Sequence, residues 1–168
     1  PAADFNGTLM VVDLKTRDTF TRPLADVASG LAPNQIASLS SSNPLSHQSG
    51  ERLVSLGGYG IDEHGDYVTF STLRVLDVAG VIGWVRGDRT QLADHIHFHE
   101  APENAPPDFF TICGGVLIEN GDEFWSCLGQ NFQGGYVDLN ACPSIGTTQV
   151  YTKSIRRFAL DAFRPDAP

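Results

Sequence analysis

No apolar run in the chain approaches the length of a membrane span, and residues 1 to 20 lack the basic start and apolar centre of a signal peptide. The chain as written therefore reads as soluble. It begins at Pro1 rather than at a methionine, which reads as a mature or trimmed product whose leader is no longer present, a hint of secretion. Positive charge is also scarce. Lys and Arg number 11 against 20 Asp and Glu, for a formal net charge of -9. Apart from Arg156-Arg157 the basic residues are scattered, which argues against nucleic acid and membrane as partners.

Cysteine is sparse as well. Cys113, Cys127 and Cys142 match no CxxC zinc framework. They read as one disulfide plus a leftover thiol, the alternative being three reduced, buried thiols of a cytosolic protein. Cys113–Cys127 would close the hairpin expected at Asn120-Gly121, and Cys127–Cys142 is the competing pair. A GxSxG elbow and a GxxxxGK[ST] phosphate loop are both missing, which removes the serine hydrolase and P-loop readings. Asp62, Glu63 and Asp66 lack EF-hand spacing and read as a solvated turn.

What is present is a β pattern. The 168 residues, 41% hydrophobic, fit one domain spanning 1–168, and 17 Gly and 10 Pro punctuate it into short strands. Strands are expected at Thr8–Leu14, Leu53–Tyr59, Tyr67–Leu76, Val81–Arg86, Asp94–Glu100, Phe109–Cys113, Val116–Ile118, Glu123–Leu128, Tyr136–Leu139 and Thr148–Ser154. Residues 28 to 50, with their serine cluster, read as a long surface loop with room for a short strand near Ile36–Leu39. At the tail, Ile155, Phe158, Ala159, Ala162 and Phe163 follow helical spacing, so a short C-terminal helix is expected, with a continuing strand as its rival. The fold class is all-β, an antiparallel sandwich or barrel. Trp84, Trp125 and Tyr136 read as core or edge aromatics rather than as a carbohydrate platform. Asn6-Gly7-Thr8 is a glycosylation sequon that makes Asn6 a candidate acceptor.

The sharpest chemical feature is His95-Ile96-His97-Phe98-His99. On a strand, alternate residues share a face, so the three histidines stand together and Ile96 and Phe98 face the core. Alternate positions are about 6.5–7 Å apart. With metal–nitrogen bonds of about 2.0–2.1 Å, only neighbouring pairs, His95 with His97 or His97 with His99, can converge on one copper or zinc ion. His64, on the turn Glu63 to Asp66, is a candidate further ligand, and His47 a weaker one. Glu100 points away. A solvated histidine face without metal is the alternative.

His95-Ile96-His97, preceded by Gln91 to Asp94 and followed by Ala101-Pro102-Glu103-Asn104-Ala105-Pro106, resembles the "AHIH…AP…NGP" signature of CHRD (chordin) domains. Gly60 to Asp66 with the strand after it resembles the hairpin that precedes that signature. Tyr136-Val137-Asp138-Leu139-Asn140, with Pro143 and Gly146, resembles the segment that closes it. The resemblance covers about residues 53 to 155. Ala105 replaces the family's glycine, Asn140 its late histidine, and Thr147 to Val150 its glutamate. It implies a divergent, secreted or cell-surface β-domain acting as a binding or matrix module for an extracellular protein, glycan or small molecule. It also suits the Cys113–Cys127 pair. Ile96 to Asn104 is locally similar to the copper-binding strand of copper/zinc superoxide dismutases, "FHVHEFGDN", but no histidine follows His99. The alternative function is a metalloprotein or small-molecule enzyme that uses the histidine strand in a β-barrel pocket.

Overall fold

Alternation of inward and outward side chains organises most of the chain. The computed structural model describes residues 6–135 and 147–160. Along the chain it has β1 (Thr8–Val12), β2 (Thr19–Pro23), α1 (Pro33–Leu39), β3 (Leu45–Ser49), β4 (Arg52–Leu56), β5 (Tyr59–Ile61), β6 (Tyr67–Thr69) and β7 (Leu73–Asp77). There follow α2 (Val78–Val85), β8 (Ile96–His99), β9 (Val116–Asn120), β10 (Glu123–Cys127), β11 (Gln130–Gln133), β12 (Thr148–Tyr151) and β13 (Arg156–Ala159). Strands β3-β4-β7-β8 form the largest sheet, β13-β10-β9 a second, and β1-β2, β5-β6 and β11-β12 are two-stranded. The pairings between these strands are antiparallel. Among the described residues no barrel closes.

The four-stranded sheet is covered on both faces. The register aligns Leu45, Leu56, Leu73 and His99 in one cross-strand row, and His47, Val54, Val75 and His97 in the next. Leu45, Val54, Leu56 and Leu73 pack against Leu117, Phe124 and Phe158 of the second sheet, with Phe110 and Ile112 between. Each such side chain contributes on the order of 1.5–3 kcal/mol when fully buried. The opposite face carries Leu53, Leu76, Ile96 and Phe98, which meet α1, α2 and the β1-β2 hairpin around Trp84 and Leu92. Arg22 lies over the Trp84 ring at 4.1 Å and donates to the Trp84 carbonyl at 2.8 Å, tying β2 to the end of α2.

Several expectations are corrected. The stretch 28 to 50 holds α1 and β3 rather than a loop, and Ile36–Leu39 is helical. Pro33 opens α1 without losing an intrahelical bond, and Gln35 reaches back to the Ala32 amide at 2.9 Å. Val81–Arg86 lies in α2 and its cap, because a short apolar run has no period that separates strand from buried helix. Phe109–Cys113 is irregular apart from a bridge at Cys113, although Phe110 to Cys113 are buried. Where a C-terminal helix was expected, Arg156–Ala159 is a strand paired with β10, which buries Phe158 against Phe124. Residues beyond 160 and the expected strand Tyr136–Leu139 lie outside the described residues. The β9-β10 turn is Gly121-Asp122, one residue later than expected, with φ 64° at Gly121.

Cys113 and Cys127 are both free thiols, so the Cys113–Cys127 bridge is not formed. Cys113 is buried against Tyr59 and Phe132, 3.9 Å from the Thr69 hydroxyl. Cys127 lies half-buried opposite Val116, a position exposed to solvent. Burial pushes the Cys113 thiol pKa up, which keeps it protonated and unreactive. Cys142, and with it the Cys127–Cys142 alternative, lies outside the described residues.

A buried cation ties these parts together. Arg74 on β7 is 1% exposed. It donates to the Ser38 and Gly57 carbonyls, to the Ser38 hydroxyl at 3.0 Å and to the Ser41 hydroxyl at 3.3 Å. Burial lowers its pKa to about 10, still far above neutrality, so it remains charged.

The Gly57-Gly58 step that faces this arginine admits no side chain: a Cβ at Gly57 (φ 64°) would lie 2.0 Å from the Ile112 carbonyl oxygen. Gly57→Ala should therefore cost about 2–5 kcal/mol from left-handed strain plus overpacking. Gly121→Ala, at a similar φ but with nothing within 4 Å, should cost about 1–2 kcal/mol. Arg74→Met should cost about 2–4 kcal/mol, because two buried carbonyls lose their donors. Urea denaturation of the three variants measures each, and equal losses at Gly57 and Gly121 would contradict the close approach.

Candidate functional site

The sequence reading placed His95, His97 and His99 on one strand face. The structure keeps His97 and His99 there but not His95, which ends a 3-10 turn (Leu92–His95) just before β8 begins. The ladder to β7 starts at Ile96, opposite Leu76, so His95 escapes the alternation and faces α2. Its Nδ1 lies 3.3 Å from Asp77 Oδ2 and its Nε2 3.1 Å from Thr90 Oγ1. With the carboxylate as acceptor, a neutral ring carries its proton on Nδ1 and accepts from the Thr90 hydroxyl at Nε2.

Two local features build this chain of three groups. Asp77 stands at the N-cap of α2 yet makes no side-chain cap bond, leaving its carboxylate for His95. Gly80 opens the space: a Cβ there would lie 1.9 Å from His95 Nδ1 and 2.5 Å from Asp77 Oδ2. An oriented imidazole touching a hydroxyl is the arrangement a general base needs.

Beside it, an open concavity of about 450 Å³ is lined by Ser49, Glu51, Arg52, Asp77 and His97. Its floor is the end of the four-stranded sheet. Arg52 and His47 both contact Glu119 of β9, His47 Nε2 at 3.2 Å, so one half-buried carboxylate joins the two sheets at the rim. Arg52 also lies over the Phe124 ring at 5.8 Å.

His99 is half-buried, in the cross-strand row of Leu45, Leu56 and Leu73. Burial, and after it the charge of His97, lower its pKa below the ordinary histidine value. His64 stands on the β5-β6 turn, 3.7 Å from Glu63 and mostly exposed. That hairpin belongs to a different sheet from β8. Among the described residues no group of three or more His, Cys, Asp or Glu side chains lies so as to hold a metal ion. Asp62 accepts the His64 and Asp66 amides at 2.9 Å each, so the acidic turn is held by its own backbone. Trp84 is fully buried and Trp125 half-buried, while Tyr136 lies outside the described residues. Asn6 is exposed.

Asp77, Thr90, Arg52 and Glu119 were missed by sequence reasoning. Only Asp77 left a signal there, as an acidic residue directly before an apolar run, and that signal reads as a helix cap. The contacts of the other three are made across long sequence separations or through a turn. No protein-family model matches the chain, and no curated protein is significantly similar to it.

The depressed pKa of His99 fixes a sign for the pH dependence of stability. Between the ordinary histidine value and the lower folded one, the unfolded chain binds the proton that the folded chain refuses. Stability contributed by His99 is thus complete above the unfolded pKa and declines as pH falls through that window. NMR titration should find His99 below the ordinary value and moving upward in His97→Ala, because the second cause of the depression is then gone. An unchanged His99 titration in that variant would contradict the proximity of the two rings.

Proposed function

We propose that the protein is an extracellular binding module of the CHRD-like kind, secreted or held at the cell surface, whose partner docks at the concavity beside His97. The observation that carries this reading is the concavity itself: a wide opening of about 450 Å³ with Arg52, Glu51 and Asp77 at its wall. Mixed charges on an open surface select a partner by complementarity and steer its approach. An exposed Asn6 sequon suits the same compartment. The partner class is an extracellular protein, a glycan or a small molecule.

A second reading, a metalloprotein or small-molecule enzyme, is favoured by the Asp77–His95–Thr90 chain and by the neighbouring His97 and His99. A copper or zinc ion would be held by the latter pair, with the rest of its coordination from water or the partner.

Photoreactive groups placed at Ser49, in the concavity, and at Val27, fully exposed elsewhere, separate surface from background. The binding reading expects extracellular partners captured from Ser49 alone, with capture lost in Arg52→Glu, and equal capture from both sites would sink it. Stoichiometric copper or zinc that disappears in His97→Ala, or turnover of an activated ester that disappears in Thr90→Val, would establish the second reading instead.

A further inference from the structure

A second cavity, of about 360 Å³, lies between the β11-β12 ribbon and the start of β13. Its volume is at the small end of the roughly 300–1,000 Å³ typical of small-molecule sites. Asp108, Asn131, Thr152, Lys153 and Arg156 give the lining its charge and polarity, with Val150 and the Tyr151 ring supplying an apolar wall. From this set we propose a binding site for a free α-amino acid, a ligand with carboxylate and ammonium on one carbon.

Among the described residues Asn131 Oδ1 is buried with no hydrogen-bond partner, and a buried acceptor left open is costly unless a donor fills it. It therefore calls for an N–H or O–H group. Asp108 adds a negative charge to the same cavity, held on a residue with φ 59°, a left-handed conformation that aspartate tolerates. An ammonium satisfies both. Arg156 is anchored by its Nη1, which donates to the Phe109 carbonyl at 3.0 Å and the Thr111 carbonyl at 3.4 Å. Among the described residues its Nε and Nη2 make no hydrogen bond or ion pair, which leaves them to meet an anion, and Lys153 supplies a second cation. Asp108 acts on the Arg156 charge through space, yet among the described residues the two form no direct ion pair. Opposite charges that share a cavity without pairing leave room for a ligand that separates its own charges in the opposite sense. A simple carboxylate leaves Asn131 and Asp108 unanswered, and a simple amine leaves Arg156 and Lys153.

L-valine, whose side chain suits the Val150 wall, is the probe, with isovalerate as the carboxylate control and isobutylamine as the amine control. Each is titrated into the full chain labelled with ¹⁵N and followed by NMR. L-valine alone should shift the Asn131 side-chain amide and the Thr152 and Lys153 backbone amides. Asp108→Asn and Lys153→Gln, both at exposed positions, should weaken that binding about tenfold or more. These two variants keep the test independent of Arg156, whose replacement would free the Phe109 and Thr111 carbonyls. The proposal is overturned by any of three results: no shifts with L-valine, equal shifts with either control, or unchanged L-valine affinity in both variants.

Discussion

The central constraint in this fold is a positive charge buried without a carboxylate beside it. Arg74 sits near the start of β7 at 1% exposure, and its guanidinium is answered by oxygens of neutral groups drawn from two other places in the chain. Ser38 and Ser41 belong to the end and exit of α1, and Gly57 to the exit of β4. The carbonyl end of a helix carries partial negative charge, so α1 meets the cation with its favourable pole. Because a desolvated charge is tolerable only when its donors are met, this one residue dictates where α1 ends, where β4 ends, and how closely they approach β7. Among the described residues its Nε has no partner, so the satisfaction is incomplete even here. The glycines at 57 and 58 follow from the same crowding, since a Cβ at either would strike Ile112 or Ser41.

With α1 and β7 fixed, the four-stranded sheet separates two cores, and its free end becomes the surface with chemistry. Glu119 reaches from the second sheet to His47 and Arg52 of the first, so the rim of the concavity is shared by both layers. At the end of β7, α2 begins just after Asp77 and turns Gly80 toward His95. The orientation of that imidazole is thus a consequence of helix packing, with Asp77 and Thr90 holding the two ring nitrogens. A histidine that sequence spacing placed beside His97 acquires different neighbours because the strand starts at Ile96, two residues later than expected.

Much of the β architecture was legible in the chain. The turn near Gly121 and the inward Ile96 and Phe98 are local patterns, decided by side-chain period and by glycine, and they survive folding, whereas the single strand expected over Tyr67–Leu76 divides into β6 and β7 on different sheets. The regions that were misread share one property: their local pattern is ambiguous, and a distant contact decides it. Val78–Val85 is apolar throughout and becomes a helix where Trp84 can bury against β2. Arg156–Ala159 has helical spacing in its apolar residues, yet β10 offers a ladder and Phe124 offers a ring to stack on. The serine cluster at 38 to 42 looks like solvated loop until Arg74 arrives to use its hydroxyls and carbonyls.

The amino-acid sequence by itself determined an all-β antiparallel class, the core-facing side of the histidine strand and the acidic, weakly basic surface, because these depend on composition and on periods of two residues. Only the tertiary structure decided which charges meet. Asp77 and His95 are 18 positions apart, Arg74 and Ser38 36, and Thr69 and Phe132 63. Contacts at such separations are set by how sheets and helices pack, and no local period carries information about them.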